Sequence, residues 1–129
     1  MRIALIGAGR MGSWLAALLA REHEVAVLDL DFERAKAVAG ASALREYNDI
    51  GAWEPELLVN CVTLDATGAA FRAALPYLPS ACALADIASV KTGLAEAYAA
   101  AGRPFASTHP MFGPSGADLG ALAGEHAVL

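Results

Sequence analysis

The stretch RIALIGAGRMGSWLAALLA, Arg2 to Ala20, decides which fold this chain can adopt. It opens on a short, mostly apolar run that stops at Gly7, which predicts a buried strand. From Arg10 the chain becomes rich in Ala and Leu, with Met11, Leu15, Leu18 and Leu19 at helical spacing. Between the two, Gly7-Ala8-Gly9-Arg10-Met11-Gly12 has the form G-x-G-x-x-G. Glycine triplets are common, but here the triplet leaves a strand and enters a helix, the context its chemistry needs. Gly7 permits a tight turn, Gly9 lets backbone approach a pyrophosphate, and Gly12 lets helix and strand pack closely. The helix N-terminus then offers unpaired N–H groups and partial positive charge to the phosphates.

Downstream, the same alternation continues. EVAVLDLD predicts a second strand closing on acids, and FERAKAVAG a helix stopped by Gly40. A weak third strand is expected around Ala43 to Arg45. ELLVNCV, CALADIA and PFAST predict three more strands, separated by the helices ATGAAFRAALPYL and KTGLAEAYAAAG. Strands alternating with helices call for right-handed crossovers and a parallel sheet. The expected fold is a doubly wound α/β domain of Rossmann type spanning residues 1–129. The closing EHAVL reads as the opening of a further strand, so we expect a fragment cut before the last strands of its domain.

Asp29 stands 22 positions after Gly7, at the end of the second strand. A carboxylate there accepts hydrogen bonds from the adenosine ribose hydroxyls and repels a 2′-phosphate, so NAD is expected rather than NADP. Asp31 reads as the cap of the following helix. Arg10 is the discordant residue of the loop, since an arginine there can meet a phosphate.

Composition narrows the functional classes. Hydrophobic residues make up 57% of the chain, which fits a sheet covered on both faces. A net charge of −5, with its Lys and Arg scattered singly, argues against a nucleic-acid partner. The glycines and Arg10 interrupt the N-terminal apolar stretch, so it lacks the continuous core of a secretion signal. No segment has the roughly 20 apolar residues of a membrane span, and a cytoplasmic protein is expected. Cys61 and Cys82 lie in separate apolar runs without CxxC spacing and read as buried thiols, with no metal site.

Two later segments carry more specific chemistry. DIASVKTGL puts Ser89 and Lys91 just past the fifth strand, and STHPMFGP puts His109 just past the sixth. In a doubly wound sheet, ligands bind outside the carboxyl ends of the strands, the edge that also carries the glycine loop. Thr63 and Asp65 follow the fourth strand on that edge.

With IGAGRMGSWLA, these blocks resemble the prephenate and arogenate dehydrogenases of tyrosine biosynthesis, in order and over essentially the whole chain. The glycine block is shared by many dehydrogenases; DIASVKTGL followed by STHPMFGPSGA is much more specific. The resemblance implies an NAD-dependent oxidative decarboxylation in which His109 takes the proton of the ring hydroxyl and Ser89 orients histidine and hydroxyl. A histidine, with pKa near ~6.5, is poised for that at neutral pH. It further implies cofactor contacts at Gly7, Gly9, Arg10, Met11, Gly12, Asp29 and Thr63, and substrate contacts at Ser89, Lys91 and His109. Members of the family also carry a second, mostly helical domain that forms a homodimer and supplies arginines to the substrate carboxylates; nothing in these residues corresponds to it.

Each of these residues also has a plainer reading. His109 can be an ordinary polar residue at a strand end, Ser89 a helix cap, and Lys91 a solvated first-turn residue. Thr63 and Asp65 can belong to an unspecific loop, and Met111, Phe112, Trp14 and Trp53 to packing. His23 and His126 have no catalytic context. Two other functions remain open on sequence: a β-hydroxyacid-type dehydrogenase and a non-catalytic dinucleotide sensor.

Overall fold

The structure, a computed structural model, describes residues 1–115 and 127–128. Six strands form one parallel sheet: β1 (Arg2–Ile6), β2 (Glu24–Leu28), β3 (Ser42–Leu44), β4 (Leu57–Asn60), β5 (Ala83–Asp86) and β6 (Phe105–Ser107). Their order across the sheet is β3-β2-β1-β4-β5-β6. The chain winds outward from β1 one way, crosses back, and winds outward the other way. That is the doubly wound order of dinucleotide-binding domains, as the sequence predicts.

Strand residues alternate between two buried faces, which is why the runs read as continuously apolar. Ile3, Leu5 and Val27 pack on one face with Ala16 of α1 (Arg10–Leu19) and Ala35 of α2 (Phe32–Lys36). Ala4, Ile6 and Leu58 pack on the other, beneath Ile50 of α3 (Tyr47–Trp53), Phe71 of α4 (Leu64–Ala74) and Tyr98 of α5 (Leu94–Ala101). Burial of a side chain such as Phe71 contributes about 1.5–3 kcal/mol. Among the described residues no helix is long and apolar enough to cross a membrane.

The structure departs from the sequence expectations in four places. α2 stops at Lys36, because the Ala37 and Val38 amides turn back to carbonyls three residues earlier and tighten the chain before Gly40 takes a φ of +77°. Its start is as expected, with Asp31 accepting from the Glu33 amide. α3 was not expected at all; it is opened by Asp49, whose carboxylate accepts from the Arg45 and Glu46 amides. The helix after β5 begins at Leu94, behind a left-handed Gly93, so Ser89 does not cap it. The closing strand exists as β8 (Ala127–Val128), but it pairs antiparallel with β7 (His109–Pro110) instead of joining the parallel sheet. His126 and the end of the STHPMFGPSGA block, residues 116–117, lie outside the described residues.

Candidate dinucleotide site and its catalytic edge

The glycine loop is held from two sides. The Gly7 amide donates to the Leu28 carbonyl at 2.8 Å, and the Ala8 amide donates to Asp29 Oδ2 at 2.6 Å. Asp29 Oδ1 takes the Asp31 amide at 2.8 Å. Gly7 has a φ of +100°, a conformation that glycine adopts freely, and a β-carbon there would lie 3.0 Å from the Cys61 backbone. At Gly12 a β-carbon would overlap the Gly7 carbonyl oxygen.

Gly9 differs from both. Its φ of −70° is open to any residue, and a β-carbon on it would meet nothing within 4 Å. Among the described residues nothing explains a glycine there. The space it leaves lies at the N-terminus of α1, which no side chain caps among the described residues and whose first turn carries no acid. A pyrophosphate fits this cradle in shape and in charge.

Three further segments converge beside it. At the end of β4, buried Asn60 donates to the Thr67 carbonyl at 2.9 Å and accepts from the Val62 amide at 3.3 Å, shaping the turn into α4. After β5 comes the exposed Ser89, and after β6 the half-buried His109. A cleft of 270 Å³ is lined by Met11, Val62, Leu64, Ser89, His109 and Phe112, among others. Trp14 and Phe112 meet edge to face with ring centres 6.1 Å apart, and Arg10 donates to the Ser115 hydroxyl, so α1 and the histidine block touch directly.

The structure thus gathers Met11, Ser89 and His109 on one cleft, with Gly7, Gly9, Arg10 and Gly12 in the loop that opens onto it and Asp29 behind that loop. Thr63 stands exposed at the start of α4 and does not line the cleft. Lys91 does not line it either: Nζ donates to Asp86 Oδ1 at 3.1 Å and to the Thr108 carbonyl at 2.7 Å. Asp86, missed in the sequence, is 1% exposed at the end of β5. Its burial opposes ionisation, but hydrogen bonds from the Tyr98 hydroxyl, the Ala88 amide and Lys91 outweigh this and hold its carboxyl below the usual carboxylate range. Burial first, then the hydrogen bond to the Asp86 carboxylate and its charge, push the Tyr98 hydroxyl up. The Ser107 hydroxyl faces that carboxylate without a well-formed hydrogen bond. Among the described residues no group of His, Cys, Asp or Glu could hold a metal ion.

A glycine loop at the crossover of a 3-2-1-4-5-6 sheet, with a cleft beside it that Ser89 and His109 line, defines a nucleotide-binding α/β domain. The sequence profile of the prephenate dehydrogenase nucleotide-binding domain matches residues 15–124, and the chain belongs to that family. The match begins after the glycine loop, so it is carried by the later segments, the serine and histidine blocks included.

Several solved structures share the fold. They include the arogenate dehydrogenase of Synechocystis (TM-score 0.76, 23% identity, 90% of this chain and 43% of that one). Another is the prephenate dehydrogenase of A. aeolicus in complex with hydroxyphenyl propionate and NAD+ (0.78, 16%, 94% and 45%). A third is the 3-hydroxyisobutyrate dehydrogenase of Mycobacterium tuberculosis (0.73, 24%, 87% and 41%). The chain spans less than half the length of each. No curated protein sequence matches it.

Proposed function

We propose that this chain is the nucleotide-binding part of an NAD-dependent prephenate or arogenate dehydrogenase. The observation that carries the reading is that Ser89 and His109 line one cleft with Met11 of the glycine loop. Gly7, Gly9, Arg10, Met11 and Gly12 bind the pyrophosphate, Asp29 takes the ribose hydroxyls and selects NAD, and Thr63 faces the cofactor from the β4 edge. Bound NAD supplies a two-electron acceptor. In the reaction, hydride leaves the ring carbon that bears the 4-hydroxyl, and His109 takes the hydroxyl proton, oriented by Ser89. As the ring carboxylate departs as carbon dioxide, its bonding electrons aromatise the ring, and the oxygen recovers the proton. The products are 4-hydroxyphenylpyruvate or tyrosine. General-base help of this kind is worth roughly 10²–10⁴-fold.

The residues lining the described cleft include no Lys or Arg. A substrate with carboxylates needs cationic partners, so we assign them to a second, helical domain that also makes the cytoplasmic homodimer.

The test uses the full-length protein with NAD and with prephenate or arogenate in turn, following absorbance of the reduced cofactor. Reduction with one of them, lost on His109→Asn while NAD affinity holds, supports the reading. Reduction only with a 3-hydroxy acid replaces it by a β-hydroxyacid dehydrogenase, and NAD binding without any reduction replaces it by a sensor.

A further inference from the structure

Among the described residues Asp86 is the only fully buried charged side chain. Four residues close around it. The Ala88 amide donates to Oδ1 at 2.8 Å, Lys91 Nζ to the same oxygen at 3.1 Å, and the Tyr98 hydroxyl to Oδ2. The Asp86 carbonyl accepts both the amide and the hydroxyl of Thr108, each at 3.0 Å. Lys91 closes the ring by donating to the Thr108 carbonyl at 2.7 Å. Thr108 is therefore gripped at its amide, hydroxyl and carbonyl, and the next residue is His109. Ser89 sits between Ala88 and Lys91, the two donors to Oδ1.

We propose that Lys91 is a positioning residue: its ion pair with Asp86 and its bond to the Thr108 carbonyl fix Ser89 and His109 relative to each other across the cleft. This rests on the reading of His109 as the base. Two of the three ammonium donors are spent inside the protein. Were Lys91 to swing onto a substrate carboxylate, it would strand a buried carboxylate with neutral donors alone, the costly arrangement for a buried charge. Its hold is on the main chain of the histidine segment, so its effect falls on geometry. Small displacements of reacting groups cost rate steeply.

The test compares Lys91→Met, Lys91→Arg and the double variant Asp86→Asn/Lys91→Met in the full-length enzyme. The double variant removes the buried charge together with its partner, so it folds even where Lys91→Met does not. In both the Met and the double variant, kcat should fall at least tenfold with KM for the ring substrate within about twofold, an expectation set by the sensitivity of rate to misplacement. Lys91→Arg should recover part of the loss. Without any substrate, the His109 ring resonance, assigned by its disappearance in His109→Asn, should move in the same variants. A raised KM with kcat intact would make Lys91 a substrate ligand and overturn the proposal. A lowered Tm with kcat and the His109 resonance unchanged would reduce it to a stabilising pair and also overturn it. If the wild-type enzyme turns over neither substrate, the reaction assigned above fails. The His109 resonance then decides alone: moved, the strut stands; unmoved, it falls.

Discussion

The β-carbon that Gly12 lacks would fall on the carbonyl oxygen of Gly7. Helix α1 can therefore start where it does only because residue 12 has no side chain. Gly12→Ala should destabilise the domain by roughly 3 kcal/mol or more, since backbone must move. Gly9→Ala should behave oppositely: it meets no neighbour, so its cost stays near ~1 kcal/mol, the penalty of alanine at a helix N-cap. Yet it should weaken NAD binding at least tenfold, because the methyl enters the phosphate cradle. Thermal melts and NAD titrations of the two variants check both halves. Normal NAD binding by Gly9→Ala would move the phosphates elsewhere.

Asp29 holds the loop through the Ala8 and Asp31 amides, and in the proposed function it also takes the ribose hydroxyls. Asp29→Ala should raise the Kd for NAD more than tenfold and narrow the preference over NADP, and its melting temperature should drop because the Ala8 and Asp31 amides lose their acceptor. Unfilled amides of this kind cost about 1–3 kcal/mol each when shielded from water. A variant with unchanged NAD affinity would remove Asp29 from the adenosine site.

The Asp86 carboxyl titrates below its unfolded value of about 3.9 in the folded chain. Its charged form therefore contributes stability that is fully present above that value and is lost as pH falls through the lower folded pKa. Urea midpoints of the wild type should drop on acidification below about pH 4. Asp86→Asn should start less stable at neutral pH and lose less over that window. Parallel curves for the two proteins would contradict the buried ion pair.

Burial first, and the Asp86 charge second, push the Cys61 thiol up to about 12; burial raises Cys82 as well, against the pull of Arg103. At pH 8 the thiolate fraction of Cys61 is roughly one in ten thousand. A thiol-reactive chromophore should label neither cysteine in the native protein and both in urea. Prompt native labelling would mean that the glycine loop opens over Cys61.

The sheet and the glycine loop were legible because their determinants are local: β-branched runs, a glycine triplet, and an acid at the end of a strand. The Ser89 and His109 segments were legible as a pattern, and the fold brings both onto one cleft. α3 escaped because its start signal is built from acids alone, Glu46 and Asp49, and because Gly51 interrupts its pattern. Gly51 is required by packing, since a β-carbon there would lie 2.7 Å from the Tyr77 carbonyl oxygen. The helical start set by Gly93 was hidden behind a lysine and a threonine that suit a first turn. The Asp86 network was invisible for another reason. In ALADIA the acid reads as the polar end of a strand, and its partners lie 5, 12 and 22 residues away: Lys91 before α5, Tyr98 on it and Thr108 after β6. One signal was present: an acid within an apolar run, followed at short distance by a lysine.

β1 carries the loop, yet its two neighbours in the sheet lie 22 and 54 residues further along the chain. Ile6 pairs with Leu28 on one side and with Asn60 on the other, and the Cys61 amide closes the ladder on the Ile6 carbonyl at 2.8 Å. A nascent chain leaving the ribosome can assemble β1, β2 and β3, but β1, inside the finished sheet, then shows a bare edge to solvent. Such an edge invites pairing with other chains, and it stays open until residue 61 has emerged. Newly made chains should thus pass through a chaperone-dependent interval, and stalling translation once β3 but not β4 has left the exit tunnel should trap them there.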